Sequence, residues 1–230
     1  MLSASEWQVL WTSLVVGLRA TVFALPLAVF VAWLLSRKRF AGRFLLDGLV
    51  HAPLILPPVV VGYALLLLFG LRGPIGAWLD RVFDFRLVFT SAGASLAAGV
   101  MAFPMMVRAV RLSFDAIDTG LEVAARSLGA SGIDRFLTIT LPLAAPGVVA
   151  AAILGFAASL GEFGAVITFA ANIPGETQTL PLAIYSALQT AGAETTALRL
   201  AGISCALAVV ALIAAEWLAR AARRYAGRPA

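Results

Sequence analysis

The chain has 230 residues, of which 61% are hydrophobic and 13% are charged, and its formal net charge is +5. So few charges cannot cover the surface of a water-soluble domain of this length, so the composition excludes an ordinary soluble protein. The positive charge does not indicate nucleic-acid binding, because the basic residues lie at the ends of apolar runs, where they set membrane orientation. We therefore expect an all-α integral membrane protein in a lipid bilayer.

Five apolar stretches are each long enough to cross a hydrocarbon core of about 30 Å as a helix. They cover about 10–35, 49–71, 91–112, 143–169 and 197–219, and together they form one transmembrane domain over 10–219. No Lys or Arg precedes the first stretch, so we expect a retained helix rather than a cleaved signal peptide. The polar residues within 164–195 indicate a re-entrant or surface segment on the outer side, with a sixth membrane helix as the alternative.

The basic residues predict the orientation of these spans. Three segments hold 12 of the 17 basic residues: the first connecting loop, the loop after the third span, and the C-terminal tail at 220–230. Segments rich in Lys and Arg stay on the cytoplasmic side of a membrane. Five spans with this bias predict an outer N-terminus and a cytoplasmic C-terminus.

Several residues within the spans are candidates for a translocation path or gate. Pro57 and Pro58 interrupt the second span, and broken helices often line a polar pathway, although proline is also common in membrane helices. Arg19 is a charge inside a span, which indicates function unless the side chain snorkels to the interface. Glu162 is expected to pair with a basic residue or to cap backbone amides in a gate. Ser159 is a small residue that lines a gap or permits close packing.

The polar loop at 113–142 is the most informative segment of the chain. Leu121, Ala124, Ala125 and Leu128 fall on one face of a short amphipathic helix. Gly129 follows where helices commonly end in a left-handed conformation. Ser131 or Asp134 is placed to cap a second short helix, and Pro142 to begin the fourth span. The pattern predicts a helix, a sharp turn and a second helix that touch a soluble partner.

This loop resembles the EAA loop of ABC importer permeases. The resemblance rests on Ala124-Ala125, three residues, Gly129, nine residues, and then Ile139-x-Leu141-Pro142. Val123, which separates Glu122 from the Ala pair, is a departure from the contiguous motif. The resemblance implies the type I ABC importer permease fold. It makes the loop the coupling helix that sits in a groove of the ATP-binding subunit, with the docking residues Glu122, Ala124, Ala125, Leu128 and Gly129.

Three further stretches are similar to molybdate transporter permeases. They are His51–Tyr63, Met101–Arg111 and Ser159–Thr177, and the last also resembles sulfate and thiosulfate permeases. The resemblance implies import of an oxyanion, with molybdate favoured over sulfate and with tungstate as a further alternative. It also implies two copies of this chain, two ATP-binding subunits and a periplasmic binding protein, all at the bacterial inner membrane.

The sequence also places the energy source on another chain. Lys38 is the only lysine and lies between two arginines, so the chain lacks the Gly-x-x-x-x-Gly-Lys-Ser/Thr loop that binds ATP. We therefore expect no cofactor here, with ATP and Mg²⁺ on the partner, and no metal site or catalytic residue. A gradient-driven transporter would need acids in mid-span, and a membrane enzyme would need a cluster of reactive side chains; neither pattern is evident.

Overall fold

The structure is a computed structural model that describes residues 3–225; in the last helix, the side chains of 212, 215, 216 and 218–225 are not described. Helices are the only regular elements of this part of the chain. In order they are α1 (Ala4–Arg37), α2 (Arg43–Ile55), α3 (Pro58–Phe69), α4 (Pro74–Phe83), α5 (Ser91–Asp115), α6 (Thr119–Ser127), α7 (Gly132–Arg135), a π-helical turn (Phe136–Thr140), α8 (Leu141–Leu160), α9 (Gly164–Ala170), α10 (Leu180–Leu188) and α11 (Glu194–Tyr225). The all-α prediction is confirmed, whereas the predicted tail at 220–230 lies outside the described side chains.

Four of the described helical segments are long and apolar enough to cross a membrane on their own. They are α1, α5, the continuous segment Gly132–Leu160, and α11 as far as Ala211. A fifth span exists if α2 and α3, which are bent by 119° relative to each other, count together as one broken span rather than as a re-entrant loop. The expectation of about five spans therefore agrees with the fold, with the second span broken rather than merely kinked.

The first span begins earlier than the predicted residue 10. Ser3 caps α1 by accepting a hydrogen bond from the Glu6 amide, and the Glu6 carboxylate accepts one from the Ser3 amide. This reciprocal capping box satisfies amides that the first turn of a helix would leave unpaired. Glu6 is buried and also pairs with Arg199 at 2.9 Å, which fastens the start of α1 to α11.

The fourth span differs from the predicted 143–169 at both ends. It starts within the polar loop, because α7, the π-helical turn and α8 form one uninterrupted rod, and it ends at Leu160. The chain then turns and forms α9, which has only seven residues. Neither α9 nor α10 is long enough to span a bilayer, which needs about 20 residues, so the expected sixth-helix alternative for 164–195 is not what the structure shows.

The centre of the subunit is α5, which packs against α1, α8 and α9. Buried residues make up 61% of its most apolar window, compared with 11% in α11. Small side chains allow close packing here: a Cβ added to Gly99 would lie 3.5 Å from the Ala20 carbonyl oxygen, and Gly155 leaves the space that the Met106 side chain fills. The exposed apolar faces of α8 and α11 remain available to lipid or to another subunit.

Candidate functional site

The helix α6 stands away from the bundle and forms the first part of the candidate coupling site. Asp118 caps it, and its side chain accepts a hydrogen bond from the Gly120 amide at 2.8 Å. None of the residues of α6 is buried. A short helix without buried residues gains little from packing, so the caps at its two ends hold it in shape.

Gly129 ends this helix in the way that the sequence predicts. Its φ is +88°, and the amides of Gly129 and Ala130 donate to the carbonyl oxygens of Arg126 and Ala125, both at 3.0 Å. This pair of bonds is a Schellman motif, which satisfies carbonyl groups at a helix end. Ser131 then caps α7 by accepting from the Asp134 amide at 3.1 Å, so Ser131, rather than Asp134, is the second cap.

An apolar face is exposed along α6 and the turn that follows it. Leu128 is 88% exposed and Leu121 47%, while Ala124 is exposed and Ala125 partly so; Ile133, after the turn, is 75% exposed. Contiguous exposed apolar side chains usually mark a binding surface. The small alanines would allow a partner to approach the backbone of α6 closely, as the loop resemblance implies.

Glu122 does not belong to this exposed face. Its carboxylate lies 3.2 Å from Arg37 Nε at the end of α1 and accepts a hydrogen bond from Thr140 Oγ1 at 3.0 Å. These contacts hold α6 against two other elements, and the docking role expected of Glu122 stays a prediction. The sequence does not predict the contacts with Arg37 and Thr140, because both lie outside the helical spacing at which neighbouring side chains of one helix meet.

The residues just before Pro142 form a π-helical turn, so α8 continues from α7 without a break. The Leu141 amide bonds to the Phe136 carbonyl five residues back, and Thr140 Oγ1 also lies 3.4 Å from the Arg135 carbonyl. Pro142 donates no amide hydrogen bond, so a wider turn just before it keeps the helix continuous. The segment Gly132–Leu160 is therefore one continuous rod, which α6 joins through the turn that contains Gly129.

A second polar cluster braces the same end of the molecule. Arg111 on α5 contacts Asp47 on α2 at 3.0 Å, and His51 Nδ1 lies 2.8 Å from the Asp47 carbonyl oxygen and 3.4 Å from its carboxylate. The spacing of Asp47 and His51, four residues apart on a helix, is the signal that predicts their contact.

Two helix breaks meet inside the bundle and contain most of the candidate gate residues. Pro57 and Pro58 form the start of α3, and a Cβ added to Gly164 at the start of α9 would lie 2.6 Å from Pro58 Cβ. Gly62 of α3 packs against the same helix: a Cβ added to Gly62 would lie 2.7 Å from the Ala165 carbonyl oxygen. The structure thus packs the broken second span against the short helix α9.

Glu162 caps the start of α9 rather than pairing with a basic residue. Its Oε1 accepts a hydrogen bond from the Ala165 amide at 2.9 Å, and no ion pair to Glu162 is formed within the described part of the chain. This agrees with the amide-capping alternative that the sequence allowed. Ser159 lies one turn earlier, is 3% exposed, and its Oγ has no hydrogen-bond partner among the described residues.

Arg19 lies apart from these breaks. It is exposed on α1, and its Nη1 donates to Ser91 Oγ at 3.3 Å at the start of α5. The Ser91 amide in turn donates to Glu176 at 3.2 Å. The candidate pathway residues therefore form two separate groups, one at the helix breaks and one around Ser91.

An open apolar groove of about 1020 Å³ runs between α8, α10 and α11. Ala157, Phe163, Tyr185 and Cys205 are among its lining residues, and Phe163 and Tyr185 pack together with ring centroids 5.1 Å apart. Cys205 is exposed in this groove. The groove flanks Gly161, so it reaches the turn that contains Glu162.

Comparison with known proteins decides the family. Residues 24–224 match the family described as the binding-protein-dependent transport system inner membrane component. The chain belongs to this family. It is accordingly a multi-pass membrane protein, and the permease resemblance of the loop at 113–142 is confirmed at the level of the family.

Curated relatives match the chain over its length. The molybdenum transport system permease protein ModB of Escherichia coli (strain K12) is 53% identical over 228 residues, covering 99% of this chain and 100% of that protein. ModB of Haemophilus influenzae is 51% identical and covers 94% of both chains. The sulfate transport system permease protein CysT of E. coli is 39% identical and covers 74% of this chain and 61% of its own.

Solved structures show the same fold. A bacterial ABC transporter involved in the import of the acidic polysaccharide alginate has a TM-score of 0.76 at 16% identity, covering 95% of this chain and 80% of that chain. The MetNI methionine ABC transporter, in an inward-facing conformation, has a TM-score of 0.66 at 19% identity, with 95% and 94% covered. The expected ABC importer permease fold is thereby confirmed.

Proposed function

We propose that this chain is the membrane-spanning subunit of an ATP-driven importer of molybdate. The main support is the 53% identity to ModB of E. coli over essentially the whole of both chains. CysT is less similar and covers less of this chain, which favours molybdate over sulfate. Tungstate has the same shape and charge as molybdate, so it is the oxyanion that the direct test must distinguish.

The exposed face of α6 is the proposed docking surface for the ATP-binding subunit. Ala124, Ala125, Leu128 and Gly129 present it, while Glu122 fixes the angle of α6 through Arg37 and Thr140. Movement of an ATP-driven partner would pass from α6 along the continuous rod into α8. The chain itself lacks a phosphate-binding loop, so ATP and Mg²⁺ are assigned to the partner.

Two copies of the chain are proposed to enclose one translocation path. The apolar groove beside α8, α10 and α11 offers a surface that a second copy can bury, and a two-fold dimer would place Gly161 and Ser159 of each copy near the path. Pro57, Pro58 and Glu162 form the gate in this arrangement. Arg19 lies at the mouth, where a cation would attract an oxyanion released by a periplasmic binding protein.

The basic loops support an orientation with α6 on the cytoplasmic side of the inner membrane and the start of α1 on the outer side. This orientation puts α6 where a soluble ATPase can reach it. It puts the segment between α3 and α5, with Arg72, Arg81 and Arg86, on the side of the binding protein.

The test is purification of the tagged chain from native membranes in mild detergent, followed by ATPase measurements with the binding protein present. We expect recovery of a P-loop ATPase at equal stoichiometry, a mass that contains two copies of this chain, and ATP hydrolysis stimulated by molybdate more than by sulfate. Equal stimulation by tungstate would broaden the substrate to both oxyanions. Recovery of the folded chain without an ATPase would overturn the proposal.

A paired substitution tests the docking surface directly. Leu128→Glu places a charge at the most exposed apolar position of the exposed face of α6, so co-purification of the ATPase should fall at least tenfold. Leu71→Glu makes the same change at a site that is 51% exposed between α3 and α4, and it should leave co-purification unchanged. Equal loss in both variants would indicate a general folding defect instead of a docking surface.

A further inference from the structure

A second cavity, of about 500 Å³, lies between the last third of α1 and the segment Gly132–Thr140. Its lining includes Phe30, Trp33, Arg37, Lys38, Arg135 and Phe136. Of the apolar residues that are exposed along α6 and the turn after it, only Ile133 lines this cavity. The candidate gate residues do not line it. It is separate from the candidate gate, and it adjoins the coupling site, with which it shares Arg37, Glu122 and Thr140.

One end of this cavity is cationic. Arg37, Lys38 and Arg135 line it, against the single carboxylate of Glu122. Lys38 Nζ lies 5.2 Å from the centre of the Trp33 ring. Among the described residues, the guanidinium of Arg135 forms no ion pair. Arg37 Nε is buried and, although it lies 3.2 Å from Glu122, it is not aligned for a hydrogen bond. The cationic end thus carries unused donors and a surplus of positive charge.

The other end of the cavity is apolar and lies inside the first membrane span. Pro26, Val29 and Phe30 line it, and Phe30 is 55% exposed. From Pro26 to Lys38, α1 advances about 18 Å at 1.5 Å per residue. Trp33 lies between the two ends, where its ring packs edge-on against Phe136 at 5.8 Å. Tryptophan at such a position is typical of the boundary between hydrocarbon and headgroups.

We propose that this cavity binds an anionic phospholipid. The phosphate of the headgroup accepts hydrogen bonds from Arg37 and Arg135 and is attracted by Lys38, while the upper part of an acyl chain lies along Phe30, Val29 and Pro26. Guanidinium groups match a phosphate because they donate two parallel hydrogen bonds in a fixed plane. Basic pockets beside membrane helices bind anionic headgroups for the same reason.

A free phosphate or molybdate shares the headgroup chemistry but does not fit the whole cavity. Such an ion would occupy the cationic end alone and would leave the apolar length beside Phe30 unused. A soluble protein cannot reach Pro26 within the span. The lipid is therefore the occupant whose shape and charge match both ends.

The site has a consequence for coupling, because Arg37 is shared. Its guanidinium faces Glu122, which holds α6 in place, and also faces the cavity. A bound phosphate therefore competes with Glu122 for Arg37 or joins both groups in one network. In either case, lipid occupancy and the position of the coupling helix are linked.

The test measures lipid retained by the purified chain after reconstitution into vesicles of phosphatidylcholine alone, or of equal parts phosphatidylcholine and phosphatidylglycerol. Native mass spectrometry in mild detergent then counts the bound lipids. The wild-type protein should retain phosphatidylglycerol in preference to phosphatidylcholine. Lys38→Gln and Arg135→Gln should each weaken retention about fivefold, and the double variant more.

Arg126→Gln is the matched control, since it removes one charge from the same loop at a position that does not line the cavity. It should retain phosphatidylglycerol as the wild type does. Equal retention of both lipids, or undiminished retention by the double variant, would overturn the proposal. Competition by millimolar inorganic phosphate would reassign the cationic end to a free oxyanion. If the lipid were lost only on assembly with the ATPase or with a second copy, that partner rather than a lipid would occupy the cavity in the assembled transporter. This readout is independent of molybdate transport, so it can fail or succeed apart from the proposed function.

Discussion

At the scale of single residues, Gly129 is the most sensitive point of the coupling loop. A φ of +88° is costly for any residue with a Cβ, by about 1 kcal/mol or more, and highest for β-branched residues. Gly129→Val should therefore distort the Schellman turn and misplace α6. We expect normal protein levels, with molybdate uptake by whole cells reduced at least tenfold, because a docking helix displaced by about 1 Å loses its partner contacts.

Gly192 supplies a matched control for this substitution. It lies between α10 and α11 with a φ of +82°, and, as at Gly129, no atom lies within 4 Å of an added Cβ. Gly192→Val therefore imposes the same backbone strain away from the loop and should leave uptake close to that of the wild type. Normal uptake by Gly129→Val would count against the docking role of the turn, and equal loss in both variants would point to general instability.

The contrast between Gly129 and Glu122 shows how far the sequence predicts the site. The turn at Gly129 depends on local rules, in which a helix face, a glycine and a capping serine follow one another within a dozen residues, and it is found as predicted. The direction of Glu122 depends on Arg37 and Thr140, which the fold brings to it from other elements. Nothing near Glu122 in the sequence indicates that contact.

At the scale of elements, the packing of α3 against α9 sets the geometry of the two helix breaks. A Cβ on Gly62 would lie 2.7 Å from the Ala165 carbonyl oxygen and 2.8 Å from Thr168 Cβ, and neither atom can move without shifting α9. Gly62→Ala should therefore destabilise the protein by about 1–3 kcal/mol through overpacking. The measurement is the apparent midpoint of thermal unfolding in detergent, which should fall by several degrees.

Gly48→Ala is the control, because Gly48 lies within α2 and no atom lies within 4 Å of its added Cβ. Alanine is favoured over glycine in a helix by about 1 kcal/mol, so this variant should unfold at the wild-type temperature or slightly above it. The two variants share the gain in helix propensity, and the difference between them isolates the contact with α9. Identical midpoints would mean that α3 and α9 do not pack as described.

Proline explains why the elements were only partly predictable. Pro57 and Pro58 indicate a break in the second span, but a proline does not determine the angle, and the 119° between α2 and α3 comes from their packing on α5 and α9. Pro142, by contrast, lies in the first turn of α8 as predicted, but the π-helical turn before it keeps the rod continuous. The same residue type thus ends one helix and lies within another.

At the scale of the whole molecule, composition and periodicity predict the class and the approximate number of spans, since both follow from the length of apolar runs. The groove beside α11 and the cavity beside Trp33 could not be predicted, because each forms only where elements distant in the sequence come together. The orientation in the membrane is a feature that neither the lengths of the apolar runs nor the packing of the elements determines. It depends on charge relative to a bilayer, and it remains a prediction from the basic loops.

A cysteine pair tests this orientation. Cys205 is the only cysteine of the chain, so Cys205→Ser gives a background without reactive thiols. Phe40→Cys then reports on the loop between α1 and α2, and Phe85→Cys on the loop between α4 and α5; the two native side chains are 38% and 45% exposed. The substitutions are chemically identical, so differences in labelling reflect the side of the membrane.

An impermeant maleimide should label Phe85→Cys in intact spheroplasts and Phe40→Cys only after the membrane is opened. The physical reason is that Arg37, Lys38, Arg39 and Arg43 hold the first loop against the anionic cytoplasmic leaflet. In the end of α4 and the loop after it, Arg81 and Arg86 are balanced by Asp80 and Asp84. The reverse pattern would place α6 outside the cell, beyond the reach of any cytoplasmic ATPase. It would then remove the basis for coupling through the exposed face of α6, even though the fold and the family would stand.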